Sequence, residues 1–153
     1  MMNSSFVGVL MMFMASFALF ALIALGSGCQ TGERKVSDRD IESVSVDRAD
    51  ELVGSRSGVL GIGDRRGILL DPRSRTSWEA GHIEAAVHVP LTEIARDQPL
   101  LQGVDVVVVY GSDYGDAVAQ AAAKRLLAVG FRSVYVLRGG LRAWEQAGRD
   151  LAR

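Results

Sequence analysis

Apolar positions fall into two kinds of segment along this chain. The first is a single long stretch, Phe6 to Gly26, in which no residue is charged, and nothing before it is charged either. A bilayer-spanning helix needs about 20 apolar residues, so this stretch is long enough to cross a membrane. The polar segment Gln30–Asp40 follows it without apolar periodicity and is predicted to be a linker.

The second kind is a series of short apolar runs, each bounded by turn or capping residues. They do not alternate with polar positions, which is typical of strands covered on both faces of a sheet. The runs are Gly67–Asp71, Ala86–Val89, Val104–Tyr110, Ser133–Leu137 and, more weakly, Ile41–Val46.

Helical patterns separate these runs. We predict a helix capped by Asp47 and ended by Gly54, a longer helix over Asp116–Val129, and a short one over Leu141–Ala147. Strands that alternate with helices predict an α/β fold, a single domain with a central parallel sheet flanked by helices. The ligand crevice of such a sheet lies beyond the carboxyl ends of its strands.

The composition of the chain argues against several classes of binding site. The formal net charge is −1, so the chain is not expected to bind nucleic acid. It has 1 cysteine, Cys29, which excludes an internal disulfide and a cysteine-based zinc site. His82 and His88 are the 2 histidines and lack an organised acidic partner, so neither a metal nor a cofactor is expected.

The residues after the long apolar stretch, Gly26-Ser27-Gly28-Cys29, resemble the end of a bacterial lipoprotein signal. The resemblance implies cleavage before Cys29 and a lipid on that cysteine, although the family usually has an aliphatic residue where Gly26 stands and basic residues at the start. An uncleaved anchor and a plain signal peptide remain alternatives. We therefore divide the chain into a signal or anchor over 1–29, a linker over 30–40 and a domain over 41–153.

Both a lipid on Cys29 and an uncleaved anchor would tether the protein to a membrane, so we predict that it is membrane-associated. A lipoprotein would place the domain in the bacterial cell envelope, outside the cytoplasmic membrane. A single-pass inner-membrane anchor, with Arg34 and Lys35 after it, would favour a cytoplasmic domain instead.

Several motifs in the second part of the chain resemble the rhodanese-like domain family, in the right order and without large gaps. The family typically shows a strand ending in Asp-x-Arg, an acid–x–Gly-His-Ile turn, a strand closing in proline, and a Gly-Gly-x-x-x-Trp tail. Here these are Asp71-Pro72-Arg73, Glu79-Ala80-Gly81-His82-Ile83, Pro90, and Gly139-Gly140 with Trp144. The resemblance implies that Asp71 and Arg73 brace the active-site loop and that His82 is a structural turn residue.

Active members of that family carry a cysteine directly after a strand that corresponds to Val104–Tyr110. Backbone amides and a helix N-terminus stabilise its thiolate and persulfide. This chain has Gly111 at that position, and Gly115 at the place of a second cysteine found in some members. A positive φ at Gly111 is expected to resist a side chain there.

The active-site-like loop is made of Gly111, Ser112, Asp113, Tyr114, Gly115 and Asp116. Its two carboxylates, on Asp113 and Asp116, are expected to repel anionic sulfur donors. Asp116 also has the position and chemistry of a helix N-cap.

Two functional classes stay open. One is a membrane-tethered, catalytically inactive module that binds an unknown protein or small ligand, which the missing nucleophile favours. The other is a sulfurtransferase or sulfur carrier that uses an unrecognised nucleophile, for example Ser112 with His82 and Asp71.

Overall fold

The computed structural model describes residues 37, 39, 41–54 and 65–153. All of them belong to one compact unit, Glu33–Arg153. The predicted signal or anchor with Cys29 lies outside the described residues, as do most of the linker and residues 55–64. Among the described residues, no helix combines the length and the hydrophobicity needed to span a membrane.

Strands and helices alternate along the described chain. The strands are β1 Glu42–Val44, β2 Gly67–Asp71, β3 His82–Ile83, β4 Val87–His88, β5 Val106–Val109, β6 Ser133–Leu137 and β7 Leu151–Ala152. The helices are α1 Val46–Gly54, α2 Arg75–Ala80, α3 Ala117–Ala128 and α4 Gly140–Gln146, with short 3-10 turns at Leu91–Glu93 and Pro99–Leu101. The bounds of β2 and β6 are those predicted, because each is a continuous apolar run with turn residues on both sides.

The main sheet has 5 strands in the order β1-β6-β5-β2-β4. Every neighbouring pair in it is parallel. Strand β5 lies at the centre, between β2 and β6, and all four of its valines are buried. The predicted α/β fold with a central parallel sheet is confirmed, and Gly111 follows the central strand.

The two faces of the sheet carry separate apolar cores. Val107 and Val109 face a core that includes Ala122 and Leu126 of α3. Val108 and Tyr110 face the opposite core, which includes Trp144 of α4. Successive strand side chains point to opposite faces, so β5 supplies both cores in turn. Full burial of such side chains stabilises the fold by about 1.5–3 kcal/mol each.

Three features differ from the sequence expectations, and the first is helix α2, Arg75–Ala80, which was not predicted. Strands β3 and β7 form an antiparallel pair that was not predicted, with His82 beside Ala152 and Ile83 beside Leu151. Helix α1 begins at Val46, one residue before the predicted cap Asp47. The Ser45 hydroxyl accepts the Arg48 N–H at 3.3 Å, so a serine at the strand–helix junction takes the role assigned to Asp47.

Candidate functional site

The active-site-like loop connects the central strand β5 to helix α3. Asp116 is the N-cap of α3, as predicted, and its Oδ1 accepts the N–H of Val118 at 2.9 Å. Its Oδ2 accepts the N–H of Ser112 at 2.7 Å. The carboxylate of Asp116 therefore lies inside the loop and bonds to amides at both ends of it.

This carboxylate fills the space in front of Gly111. A Cβ atom added to Gly111 would lie 2.6 Å from the Cβ, Cγ and Oδ2 atoms of Asp116. Separations below 3.0 Å are essentially never seen for real Cβ atoms, so a side chain at Gly111 requires Asp116 to move. The expected positive φ at Gly111 is wrong, because that conformation occurs at Gly115 and not at Gly111. Steric exclusion by Asp116, rather than backbone strain, disfavours a side chain here.

The N-terminus of α4 holds the other side of the loop. The N–H groups of Leu141 and Arg142 donate to the carbonyls of Gly111 and Ser112 at 2.8 and 3.1 Å. A Cβ on Gly140 would collide with the Gly111 carbonyl, and one on Gly139 would lie 2.8 Å from the Tyr114 ring. Both glycines have positive φ. The Gly-Gly pair is thus required for close approach of the loop to α4.

Asp71 and Arg73 form a buried ion pair next to Tyr110, the residue that precedes the loop. Their relative exposures are 0% and 7%, and Arg73 Nη2 donates to Asp71 Oδ2 at 2.6 Å. Arg73 Nη2 also donates to the Gly81 carbonyl at 2.8 Å. Burial opposes the charge on Arg73, but the hydrogen bonds and charge of Asp71 outweigh it, so the pKa of Arg73 lies above its ordinary value.

Tyr110 joins this ion pair to the strand that precedes the loop. Its ring lies 5.6 Å from the Arg73 guanidinium carbon, and its hydroxyl accepts the N–H of Ile83 at 3.2 Å. Burial, with the nearby charge of Asp71, raises the pKa of Tyr110 well above its ordinary value. Tyr110 therefore stays neutral and fixes the residue before Gly111 against β3.

His82 lies in a separate aromatic group with Trp78 and His88. Its ring stacks on Trp78 with centroids 3.5 Å apart, and its Nδ1 is 3.1 Å from the Trp78 carbonyl oxygen. His88 stacks on the same tryptophan at 5.0 Å. Among the described residues, the Ser112 hydroxyl makes no hydrogen bond to His82, and Asp71 is engaged by Arg73. The structure thus does not assemble Ser112, His82 and Asp71 into a triad.

A cleft of about 180 Å³ opens beside the loop. Asp113, Tyr114 and Asp116 line it, as does Arg138, which directly follows β6. The described residues that line this cleft do not include Asp71, Arg73 or His82.

Three polar residues of this cleft were not predicted from the sequence, namely Ser43, Gln120 and Arg138. Arg138 directly follows β6, so the rule that ligands bind beyond the carboxyl ends of parallel strands gave a signal for it. Gln120 has no such signal, because its place in the cleft depends on how α3 packs.

A family model and similar protein sequences point to the same family. The family model described as "Rhodanese-like domain" matches residues 59–147. The chain is 35% identical over 77 residues to a protein named thiosulfate sulfurtransferase GlpE from Pseudomonas fluorescens, covering 50% of this chain and 69% of that protein. For the protein of the same name from Pseudoalteromonas translucida, identity is 31% over 83 residues, with 52% and 74% covered.

Solved structures show the same fold. A protein from Bacillus halodurans superposes with a TM-score of 0.57 at 21% identity, covering 72% of this chain and 76% of that one. The rhodanese-like domain of an Anabaena protein superposes with a TM-score of 0.55 at 25% identity, covering 72% and 77%.

Proposed function

This chain belongs to the rhodanese-like domain family, and from that premise we propose that it is a membrane-tethered member that transfers no sulfur and serves as a binding module. The observation that carries the proposal is the contact between Gly111 and the Asp116 carboxylate. Two further considerations support it, one from chemistry and one from electrostatics.

The chemical consideration is the absence of a thiol from the domain. Transfer through a persulfide requires a thiolate to attack the sulfur donor and to hold the sulfur until an acceptor arrives. The chain has 1 cysteine, and Cys29 precedes the matched residues 59–147. Gly111 and Gly115 offer no nucleophilic atom at either family position.

The electrostatic consideration is that an amide of the loop is already hydrogen-bonded to a carboxylate of the same loop. The Ser112 N–H, which could stabilise an anion at this place, already donates to Asp116 Oδ2 at 2.7 Å. An anionic sulfur donor would also meet two carboxylates, on Asp113 and Asp116. The names of the similar proteins describe sulfurtransferases, and their activity does not carry over to a domain without a thiol at the nucleophile position.

A sulfur-transfer assay tests this proposal. The full chain in non-ionic detergent is incubated with thiosulfate and cyanide, and thiocyanate is measured against a protein-free blank. We expect no thiocyanate above the blank, and no sulfur adduct by intact mass after thiosulfate alone. A sulfur adduct on any residue from 41 to 153 would establish the alternative, a sulfur carrier with an unrecognised nucleophile. The Cys29→Ser variant separates reactions of the Cys29 thiol from reactions of the domain.

The membrane tether rests on the apolar stretch Phe6–Gly26 and on Cys29. Mass spectrometry of the mature N-terminus in a bacterial host distinguishes the forms. An acylated Cys29 at the N-terminus supports the lipoprotein in the cell envelope, and loss of acylation in Cys29→Ser is its control. An intact N-terminal segment in the membrane fraction supports the single-pass anchor. A soluble protein, whether uncleaved or processed, would eliminate both tethers.

A further inference from the structure

We propose that the cleft beside the loop binds a zwitterionic ligand, with a guanidinium or ammonium group against Asp113 and Tyr114 and a carboxylate against Arg138. The inference rests on the proposed function, since it assigns a ligand class to the surface that there replaces the catalytic centre. It requires a cleft lined by one negative and one positive side chain that are not paired with each other, and the cleft beside the loop meets this requirement.

The two charges come from different elements of the fold. Asp113 belongs to the loop, whereas Arg138 follows β6, and both side chains are exposed and line the cleft. Within the part of the chain that the structure describes, neither forms an ion pair. The third charge, on Asp116, is already satisfied by the N–H groups of Ser112 and Val118. The cleft therefore offers one negative and one positive group that are not used on each other.

The exposed ring of Tyr114 is the reason to place the cationic end of the ligand next to Asp113. Its side chain is 69% exposed, although the ring also approaches the backbone of Gly139 closely. An exposed aromatic face next to a carboxylate attracts a cation through both its quadrupole and the neighbouring charge, and guanidinium is the commoner partner. Arg138 at the strand end then presents a planar fork that suits a carboxylate.

The cleft is comparable in size to a single amino-acid residue. Its volume is about 180 Å³. Sites for drug-sized ligands are usually about 300–1,000 Å³. The ligand chemistry is that of a basic amino acid, which can be free or can be the C-terminal residue of a peptide.

L-Arginine is the probe, and two analogues each remove one of its charges. The full chain, labelled with nitrogen-15 in detergent micelles, is titrated while its amide resonances are recorded. We expect L-arginine to shift the amides of Gly111–Asp116 and Gly139. L-Citrulline has a neutral ureido group in place of the guanidinium, and L-argininamide lacks the carboxylate. We expect each to bind about two- to fivefold more weakly, as is typical of exposed ion pairs.

Variants assign each analogue to a side chain. Arg138→Gln should weaken L-arginine by about two- to fivefold and should leave L-argininamide unchanged. Asp113→Asn should also weaken the binding of L-arginine by about two- to fivefold and should leave the affinity for L-citrulline unchanged. Arg132→Gln and Asp97→Asn are matched controls, because both residues are exposed and lie outside the cleft lining, and they should change nothing.

Each result has a defined meaning. A peptide with a free C-terminal arginine that binds more tightly than free L-arginine identifies a peptide as the source, and equal affinity identifies a free amino acid. Shifts outside the loop, no shifts at all, or equal binding of the three probes overturns the inference, and these wild-type readings hold even if a variant fails to fold. Thiosulfate that shifts the same amides in place of L-arginine also overturns it. The sulfur-transfer assay tests the proposed function separately. If the cleft does not bind L-arginine, the protein can still lack sulfur-transfer activity.

Discussion

Exchange of two side chains tests whether Asp116 occupies the space of the missing nucleophile. The variants are Gly111→Cys, Asp116→Gly and the double variant, all in a Cys29→Ser background so that the introduced thiol is the only one. Glycine is needed at position 116, because the Cβ of Asp116 is itself 2.6 Å from a Cβ built on Gly111. Alanine or serine would therefore leave the collision in place.

The stability changes follow from these contacts. Gly111→Cys must displace Asp116, which loses an N-cap at a cost of about 1 kcal/mol and overpacks the loop at a cost of about 1–3 kcal/mol. We expect a total destabilisation of about 2–4 kcal/mol. Asp116→Gly alone should cost about 1 kcal/mol or less, since glycine is tolerated at N-caps. The double variant should be about as stable as Asp116→Gly, so the two changes are coupled favourably.

Reactivity of the introduced thiol gives a second reading. In the double variant the thiol replaces the carboxylate next to the Ser112 N–H and the N-terminus of α3, both of which lower a thiol pKa. In Gly111→Cys alone, the Asp116 carboxylate remains near and raises it. A difference of one pKa unit changes the thiolate fraction about tenfold at neutral pH. We therefore expect alkylation by iodoacetamide to be about tenfold faster in the double variant.

Urea unfolding followed by near-ultraviolet circular dichroism, together with alkylation rates at pH 7, provides the measurements. Asp97→Gly, at an exposed position outside the cleft, controls for the general effect of an added glycine. If Gly111→Cys alone were as stable and as reactive as the double variant, Asp116 would not be filling this space. The steric argument for the empty nucleophile position would then be wrong.

Three further predictions concern Tyr110 and the ion pair next to it. Arg73→Met should destabilise the domain by about 3–5 kcal/mol in urea unfolding, because it leaves Asp71 buried and unpaired, and no loss would contradict the role of this ion pair. Tyr110→Phe should cost about 1–3 kcal/mol by the same measurement, since the buried Ile83 N–H loses its acceptor. The raised pKa of Tyr110 means that the folded state holds its proton more tightly than the unfolded state, whose tyrosine pKa is about 10. Stability should therefore fall as pH rises above about 10, and this fall should be smaller in Tyr110→Phe; equal slopes would contradict the assignment.

The sequence by itself determined the features that depend on neighbouring residues. The apolar runs of β2 and β6 have turn residues on both sides, which fixed their bounds. The N-cap role of Asp116 was readable because capping involves amides only two or three residues away. The glycine at position 111 was equally plain, since a missing side chain is a property of the sequence itself.

Only the tertiary structure decided contacts between residues that are distant along the chain. Examples are the pairing of β3 with β7, the approach of Gly140 to the Gly111 carbonyl, and the place of Gln120 in the cleft. The orientation of the Asp116 side chain belongs here too, because its second hydrogen bond, to Ser112, depends on the path of the whole loop. That path is set by the α4 amides that hold the loop carbonyls, and no local pattern encodes a hydrogen bond between elements that meet only in the packed domain.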